Sequence, residues 1–327
     1  MEISSTINIK EYKIQKRIGC GTFGDVFQVK HEKSREIYAA KIIKKSIQTD
    51  FNDRLRDLSR EVNILSTIKH PSVVVFIGFS SVDFNNEKNP VIITEILPNG
   101  SLYDVLSLER KGLSNFNWNM TRKLINIYGI ASAMSFLHAN KIIHRDLKPA
   151  NILMDEFLCP KIADFGLSKK MHTYESSKII GSTLDCKGTP LYMAPEIWSN
   201  AEYSTACDVY AFGIILYEIL STEEPFKELS MYDVRSQTLK GIRPKIDSSI
   251  PPSYTDLIQC CWAQNPADRP SFDEIVESLR STEKNGFITE LVEENDFWDY
   301  VDFIDNFKKI YDTKKRIIKI DQYIKNF

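Results

Sequence analysis

The chain has 327 residues, 43% of them hydrophobic and 26% charged, which excludes a disordered polypeptide and supplies material for one large core or two smaller ones. A formal net charge of -2 at pH 7 gives no electrostatic reason to expect nucleic acid or an anionic membrane as the main partner. The opening MEISSTINIK has no signal-peptide core, no apolar run reaches bilayer length, and six cysteines lie scattered without zinc-ligand spacing, so the expectation is a cytoplasmic chain with reduced thiols and no membrane segment.

In chain order, the apolar residues first come in short runs that predict strands over Tyr12 to Ile18, Val26 to Val29, Ile37 to Ile43, Val73 to Phe79 and Val91 to Ile96. One helix interrupts them, with Leu55, Leu58, Val62 and Leu65 on a stripe and Glu61 beside it, where a carboxylate can face a sheet. After Pro98-Asn99-Gly100 the texture turns helical: Met120, Leu124, Ile127, Ala131 and Met134 mark the inner face of a long helix. Val209 to Leu220 is apolar nearly all round, as a helix inside a large lobe would be. Composition changes again after about Ser281.

Three clusters carry chemistry. Gly19-Cys20-Gly21-Thr22-Phe23-Gly24-Asp25-Val26 is a glycine-rich turn whose missing Cβ atoms would let backbone amides approach phosphate oxygens. A purely structural hairpin would read the same, and since no helix follows, the dinucleotide-binding βαβ unit is excluded. Lys41 closes an apolar strand, and Glu61 twenty positions later is placed to hold its ammonium, a compact charge suited to phosphate. In His144-Arg145-Asp146-Leu147-Lys148-Pro149-Ala150-Asn151, followed by Asp164-Phe165-Gly166, Asp146 offers a base for a hydroxyl nucleophile and Lys148 a cation near the phosphoryl group. Asn151 and Asp164 offer hard oxygen ligands for magnesium.

From about Glu11 to Leu279 the glycine loop, Lys41, Glu61, HRDLKPAN, DFG and Ala194-Pro195-Glu196 occur in the order in which they stand in the eukaryotic protein kinase catalytic domain, and the sequence resembles that family. The resemblance implies an α+β, two-lobed fold: residues 11–280 as kinase domain, with an antiparallel-sheet lobe with one helix over about 11–97 and a mainly helical lobe over about 98–280. Residues 281–327 form an extension of unknown role. It implies ATP and Mg²⁺ as cofactors and protein substrates as partners. Gly19, Gly21 and Gly24 would cover the phosphates, with Ile18, Cys20, Thr22 and Phe23 completing that stretch. Val26, Ala39 and Leu153 would pack on adenine, Glu95 and Leu97 would meet it through their backbones, and Thr94 would stand at the rear of the pocket. Asp146, Lys148, Lys41 and Glu61 would be catalytic, and Asn151 and Asp164 would hold Mg²⁺.

The same resemblance makes Asp208 and Arg269 buried supports, Arg269 pairing with Glu196. It makes Arg145 a receptor for phosphate on Ser176, Ser177, Ser182 or Thr183. Lys148 and Gly188-Thr189-Pro190 side with serine/threonine specificity, while Glu95 to Leu102, Asp208 to Gly213 and Cys261-Trp262 through Arg269-Pro270 resemble the tyrosine-kinase-like group, and dual specificity stays open. The rival readings are a pseudokinase scaffold, against which the intact Lys41, Asp146, Asn151 and Asp164 argue, and a small-molecule kinase, against which Gly188 to Glu196 argues. Beyond the resemblance, the acidic and then basic halves of residues 282–327, with Leu291, Val292, Phe297, Val301, Ile304 and Phe307 as apolar faces, predict two helices of opposite charge. The oligomeric state stays open.

Overall fold

In the computed structural model, which describes residues 6–21, 24–43, 51–170, 190–199, 201–281 and 286–324, the early apolar runs pair into one antiparallel sheet. Its strands are β1 (Tyr12–Gly21), β2 (Gly24–His31), β3 (Ile37–Ile42), β4 (Phe76–Ser80) and β5 (Val91–Glu95), in the order β1-β2-β3-β5-β4. Val29, Ala40, Val91 and Ile93 close its core with Ile9. Helix α1 (Phe51–Leu65) buries Leu58, Val62 and Leu65, and Glu61 beside that stripe is only 5% exposed.

Gly24 has a reason of its own. Its φ is +147°, and a Cβ there would lie 1.9 Å from the Ile42 carbonyl oxygen, so only glycine admits the close passage of β2 over the end of β3. These elements, with Asp164–Ser168, form the first of two units into which the chain divides: Met1–Lys69, Val74–Pro98 and Asp164–Ser168 against His70–Val73, Asn99–Ala163 and Lys169–Phe327. That division corrects the expected strand from Val73. Ser72 and Val73 give their backbone partnership to Ile162, so the strand starts only at Phe76.

The second unit is mainly helical. Helix α2 (Leu102–Arg110) begins on a capping box in which Ser101 and Asp104 satisfy each other's backbone amides. Helix α3 (Met120–Ala139), capped by Asn119, buries nearly its whole length. The short strands β6 (Ile142–Ile143), β7 (Ile152–Met154), β8 (Pro160–Ile162) and β9 (Lys169–Lys170) follow, β6 pairing with β9 and β7 with β8. Then come α4 (Pro195–Trp198), α5 (Thr205–Ser221), α6 (Met231–Leu239), α7 (Pro252–Cys261), α8 (Phe272–Leu279) and α9 (Glu294–Ile324). Helix α5 is buried continuously from Cys207 to Ile219, as its all-round apolar sequence requires.

The extension forms one helix rather than two. No glycine or proline interrupts 294–324, and a change from acidic to basic side chains along a helix complements the macrodipole instead of breaking it. Phe297, Val301 and Ile304 are buried, and α9 packs on α3. Among the described residues, no helix is long and apolar enough to cross a membrane.

Candidate active site

In the first unit the functional side chains converge on Lys41. Strand β3 lies between β2 and β5, with Lys41 opposite Val26 on one side and Ile92 on the other. Its Nζ donates to Glu61 Oε1 and Oε2, each at 3.0 Å, and to Asp164 Oδ1 at 3.1 Å. Burial alone would lower the pKa of this ammonium, but the Glu61 and Asp164 charges reverse that and hold it above the ordinary lysine value. The lysine is therefore a fixed cation, positioned between two carboxylates. Asp164 adopts φ 62°, a strained conformation for a non-glycine residue, and the following Phe165 is fully buried. Arg60 from α1 donates to the Gly166 carbonyl at 3.3 Å, tying the DFG turn to the helix that carries Glu61.

The glycine loop is the β1–β2 hairpin, with Gly19 paired to Val26 and Gly21 to Gly24. Ile18 is half exposed at its root, and Val26 and Ala39 are half-buried. Cys20 and Gly21 lie in β1, but their side chains, and Thr22 and Phe23 altogether, fall outside the described residues. Thr94 and Glu95 end β5, and both are half-buried, as is Leu97. The Glu95 carboxylate accepts the Val75 backbone N–H at 2.8 Å, and its carbonyl accepts the Thr94 hydroxyl at 3.2 Å.

In the second unit the loop after β6 is held by one buried carboxylate. Asp208 on α5 accepts the His144 N–H at 2.8 Å, the Arg145 N–H at 2.9 Å and His138 Nε2 at 2.9 Å. Burial pushes against its charge, yet the hydrogen bond and charge of His138, with the Arg145 amide, hold its pKa below the usual carboxylate value. With its backbone so fixed, Arg145 takes φ 70° and lays its guanidinium over the Tyr203 ring at 4.4 Å. Asp146 Oδ2 accepts Lys148 Nζ at 2.8 Å and Asn151 Nδ2 at 2.9 Å, and Asn151 Nδ2 also reaches the Asp146 carbonyl at 2.8 Å. Both amide protons of Asn151 are thereby used on Asp146, so its side chain offers an oxygen, Oδ1, to anything else. An amide oxygen is a hard donor of the kind that Mg²⁺ takes, and so, in the first unit, is the Asp164 carboxylate; each fits that ion by its chemistry. Leu153, in β7, is half-buried.

The expected support is present: Arg269 donates to Glu196 Oε1 at 2.7 Å and Oε2 at 2.8 Å, with its own side chain wholly buried. Sequence reasoning did not find the contact of Lys41 with Asp164, nor the clamp of Asn151 on Asp146. It also missed Glu218, 1% exposed on α5, which takes Arg110 from α2 at 2.8 Å and the Tyr192 hydroxyl at 2.8 Å. Its one signal was a lone acid within the apolar run of α5. Ser176, Ser177, Ser182, Thr183 and Thr189 lie outside the described residues.

Residues 12–279 match the family model for the protein kinase domain. The chain is 37% identical over 275 residues to the serine/threonine-protein kinase STY17 of Arabidopsis thaliana, covering 84% of this chain and 45% of that protein. It is 39% identical over 276 residues to a probable serine/threonine-protein kinase of Dictyostelium discoideum, covering 84% of this chain and 28% of that one. To the dual specificity protein kinase shkB of Dictyostelium discoideum it is 34% identical over 270 residues, 81% of this chain and 39% of that protein. The chain thus spans less than half the length of these relatives. Because the family match runs from residue 12 to residue 279 of 327, through every loop whose geometry is given above, the chain belongs to the protein kinase domain family.

Proposed function

We propose that this chain is an active serine/threonine protein kinase, transferring the γ-phosphoryl group of ATP to hydroxyls of cytoplasmic proteins in a signalling pathway. The observation that carries the reading is the Lys41–Glu61 pair, closed at 3.0 Å on both carboxylate oxygens, because that pairing must be in place for phosphoryl transfer in this fold.

Lys41 grips phosphate oxygens, and Glu61 keeps its stem extended so that little rotamer entropy is lost on binding. The β1–β2 hairpin covers the phosphates through backbone amides at Gly19, Gly21 and Gly24. Val26, Ala39 and Leu153 pack on adenine. Asp146 Oδ2 is already occupied by Lys148 and Asn151, which fixes the carboxylate plane before the acceptor hydroxyl arrives. Asp146 then orients that hydroxyl and takes its proton as the oxygen attacks the γ-phosphorus and the bond to the β–γ bridging oxygen breaks, ADP leaving with that electron pair, while Lys148 stabilises charge on the transferring group. A magnesium ion on Asn151 Oδ1 and the Asp164 carboxylate would neutralise charge on the β- and γ-phosphate oxygens. Arg145 receives a phosphate added to the segment containing Ser176, Ser177, Ser182 and Thr183.

Phosphorylation of a peptide library with serine, threonine and tyrosine acceptors tests the reading, with Asp146→Asn as control. Transfer to serine or threonine by the wild type and none by the variant is expected, and no transfer by the wild type refutes the proposal. The likeness to a dual specificity kinase supports a second reading, activity on tyrosine as well, and the tyrosine peptides of the same library decide it.

A further inference from the structure

One face of α9 is committed to the second unit. Phe297, Val301 and Ile304 recur at three- to four-residue spacing and are buried, and Phe297 meets the Tyr128 ring of α3 edge-on at 5.6 Å. Tyr300 comes so close to α3 that a Cβ on Gly129 would stand 2.5 Å from its Oη. At the flank of this face, Arg280 donates to Asp305 Oδ1 at 2.6 Å and to the Tyr128 hydroxyl at 2.9 Å.

The other face carries large apolar groups in the open. Phe303 is 56% exposed and Ile310 is 58% exposed. Seven positions apart, they stand two turns from each other on one side of the helix, and the helical period turns that side away from Phe297, Val301 and Ile304. The sequence continues the spacing to Ile317 and Ile324, and α9 runs as far as Ile324. A seven-residue apolar repeat is the pattern by which one helix packs along another.

Charge indicates which helix that is. No lysine or arginine stands between Gly286 and Phe307, whereas Glu294, Asp296, Asp299 and Asp302 are exposed. From Lys308 to Lys325 the balance reverses, and lysine and arginine outnumber aspartate by seven to two. An anionic membrane that attracted the second half would repel the first, and any partner of one sign would suit only half of the helix. A second copy of α9 running the other way suits both halves, because each acidic half then lies along a basic one. A parallel copy would set like charge on like.

Spacing also places the centre of such a contact. Asp299 precedes Phe303 by four positions and Lys314 follows Ile310 by four, so all four residues share one side of the helix. With a two-fold axis between Asn306 and Phe307, Phe303 comes opposite the partner's Ile310 and Asp299 opposite the partner's Lys314, and each pairing occurs twice.

We propose that the outer face of α9 is a dimerisation surface, on which a second copy of this chain packs antiparallel through Phe303 and Ile310, with Asp299 and Lys314 paired across the contact. One helix on one helix is a small interface and its ion pairs lie at the rim, so the dimer is weak and loosens as salt rises. None of these residues belongs to the phosphoryl-transfer site, and the inference stands apart from the kinase reading.

The test is sedimentation velocity of the full chain over a dilution series at low and high salt, with urea unfolding to show that each variant is folded. The wild type is expected to reach twice the chain mass as concentration rises, and Ile310→Ser to remain monomeric. Asp299→Lys and Lys314→Glu should each weaken self-association by about tenfold, because each turns two attractive pairs into repulsive ones. The chain carrying both substitutions should recover it, since opposite signs face each other again; in a parallel contact like charges would still meet. A wild type that stays monomeric overturns the proposal, and so does a dimer indifferent to all three single substitutions. A doubly substituted chain no better than the single ones overturns the antiparallel pairing. A monomer that binds phosphatidylserine vesicles, and loses that binding in Lys314→Glu, gives the face to a membrane and overturns the dimer.

Discussion

Replacing Arg269 by alanine removes the two bonds to Glu196 together with those to the Ala206 and Ala263 carbonyls, each at 2.9 Å. The Glu196 carboxylate, 13% exposed, then lies almost wholly out of water with no counter-charge at its previous 2.7 Å. Breaking a buried pair from one side costs on the order of 3 to 5 kcal/mol, most of it the penalty of the charge left behind. With a urea slope of about 2.5 kcal/mol/M, that is a midpoint lowered by about 1 to 2 M. Glu196→Gln should cost less, roughly 1.5 to 3 kcal/mol, since Arg269 keeps its carbonyl acceptors and one amide oxygen. The assay is urea unfolding followed by tryptophan fluorescence, which reports the second unit alone because Trp118, Trp198, Trp262 and Trp298 all belong to it. A midpoint within about 0.3 M of wild type for Arg269→Ala, or a larger loss for Glu196→Gln, would refute the reasoning.

Asp146→Asn should bind ATP as the wild type does and lose transfer by about 10²- to 10⁴-fold, since the base goes while the groups facing the phosphates stay; equilibrium nucleotide binding and single-turnover transfer check this together. Lys41→Met should depress kcat, and transfer at the wild-type rate would refute the role assigned to Lys41. Burial pushes the Glu218 carboxyl up to about 7, opposed by the Tyr192 and Arg110 contacts, so the folded chain holds a proton that the unfolded chain releases from about pH 4.5. Its contribution is complete below that pH and falls as pH rises to about 7, by up to about 3 kcal/mol; the stability margin of wild type over Glu218→Gln should shrink between pH 5 and 7.5, and a constant margin refutes it. Phosphatase treatment, or alanine at Ser176, Ser177, Ser182 and Thr183 together, should lower peptide phosphorylation, and full activity after both removes Arg145 as a phosphate receptor.

What was legible in the sequence was whatever is local or follows a period. The stripe Leu58, Val62, Leu65 with Glu61 beside it placed a carboxylate on the inner side of α1, because a helix repeats every 3.6 residues whatever surrounds it. The strand over Ile37 to Ile43 likewise needed only its own residues. The run from Val73 to Phe79 read as strand for the same reason, and Phe76 to Phe79 are strand, but its start was misplaced, since Ser72 and Val73 are claimed by Ile162, a partner no local pattern reveals. The charge change in the extension misled in the opposite sense: read locally it marks two helices, whereas the dipole of a single long helix accommodates both signs. Within the site, residue types announced Asp146, Asn151 and Asp164 as a set, but not that Asn151 would use its amide protons on Asp146 and so present oxygen alone. Tyr300 and Ser72, 228 positions apart, lay furthest from view. Yet one residue recorded their meeting: Gly129, in a helix otherwise made of good packers, weakens α3 for no reason its own segment supplies. A glycine against the local preference marks a close approach by something distant, and in this chain two groups approach, Tyr300 Oη of the C-terminal helix and Pro160 Cγ of β8.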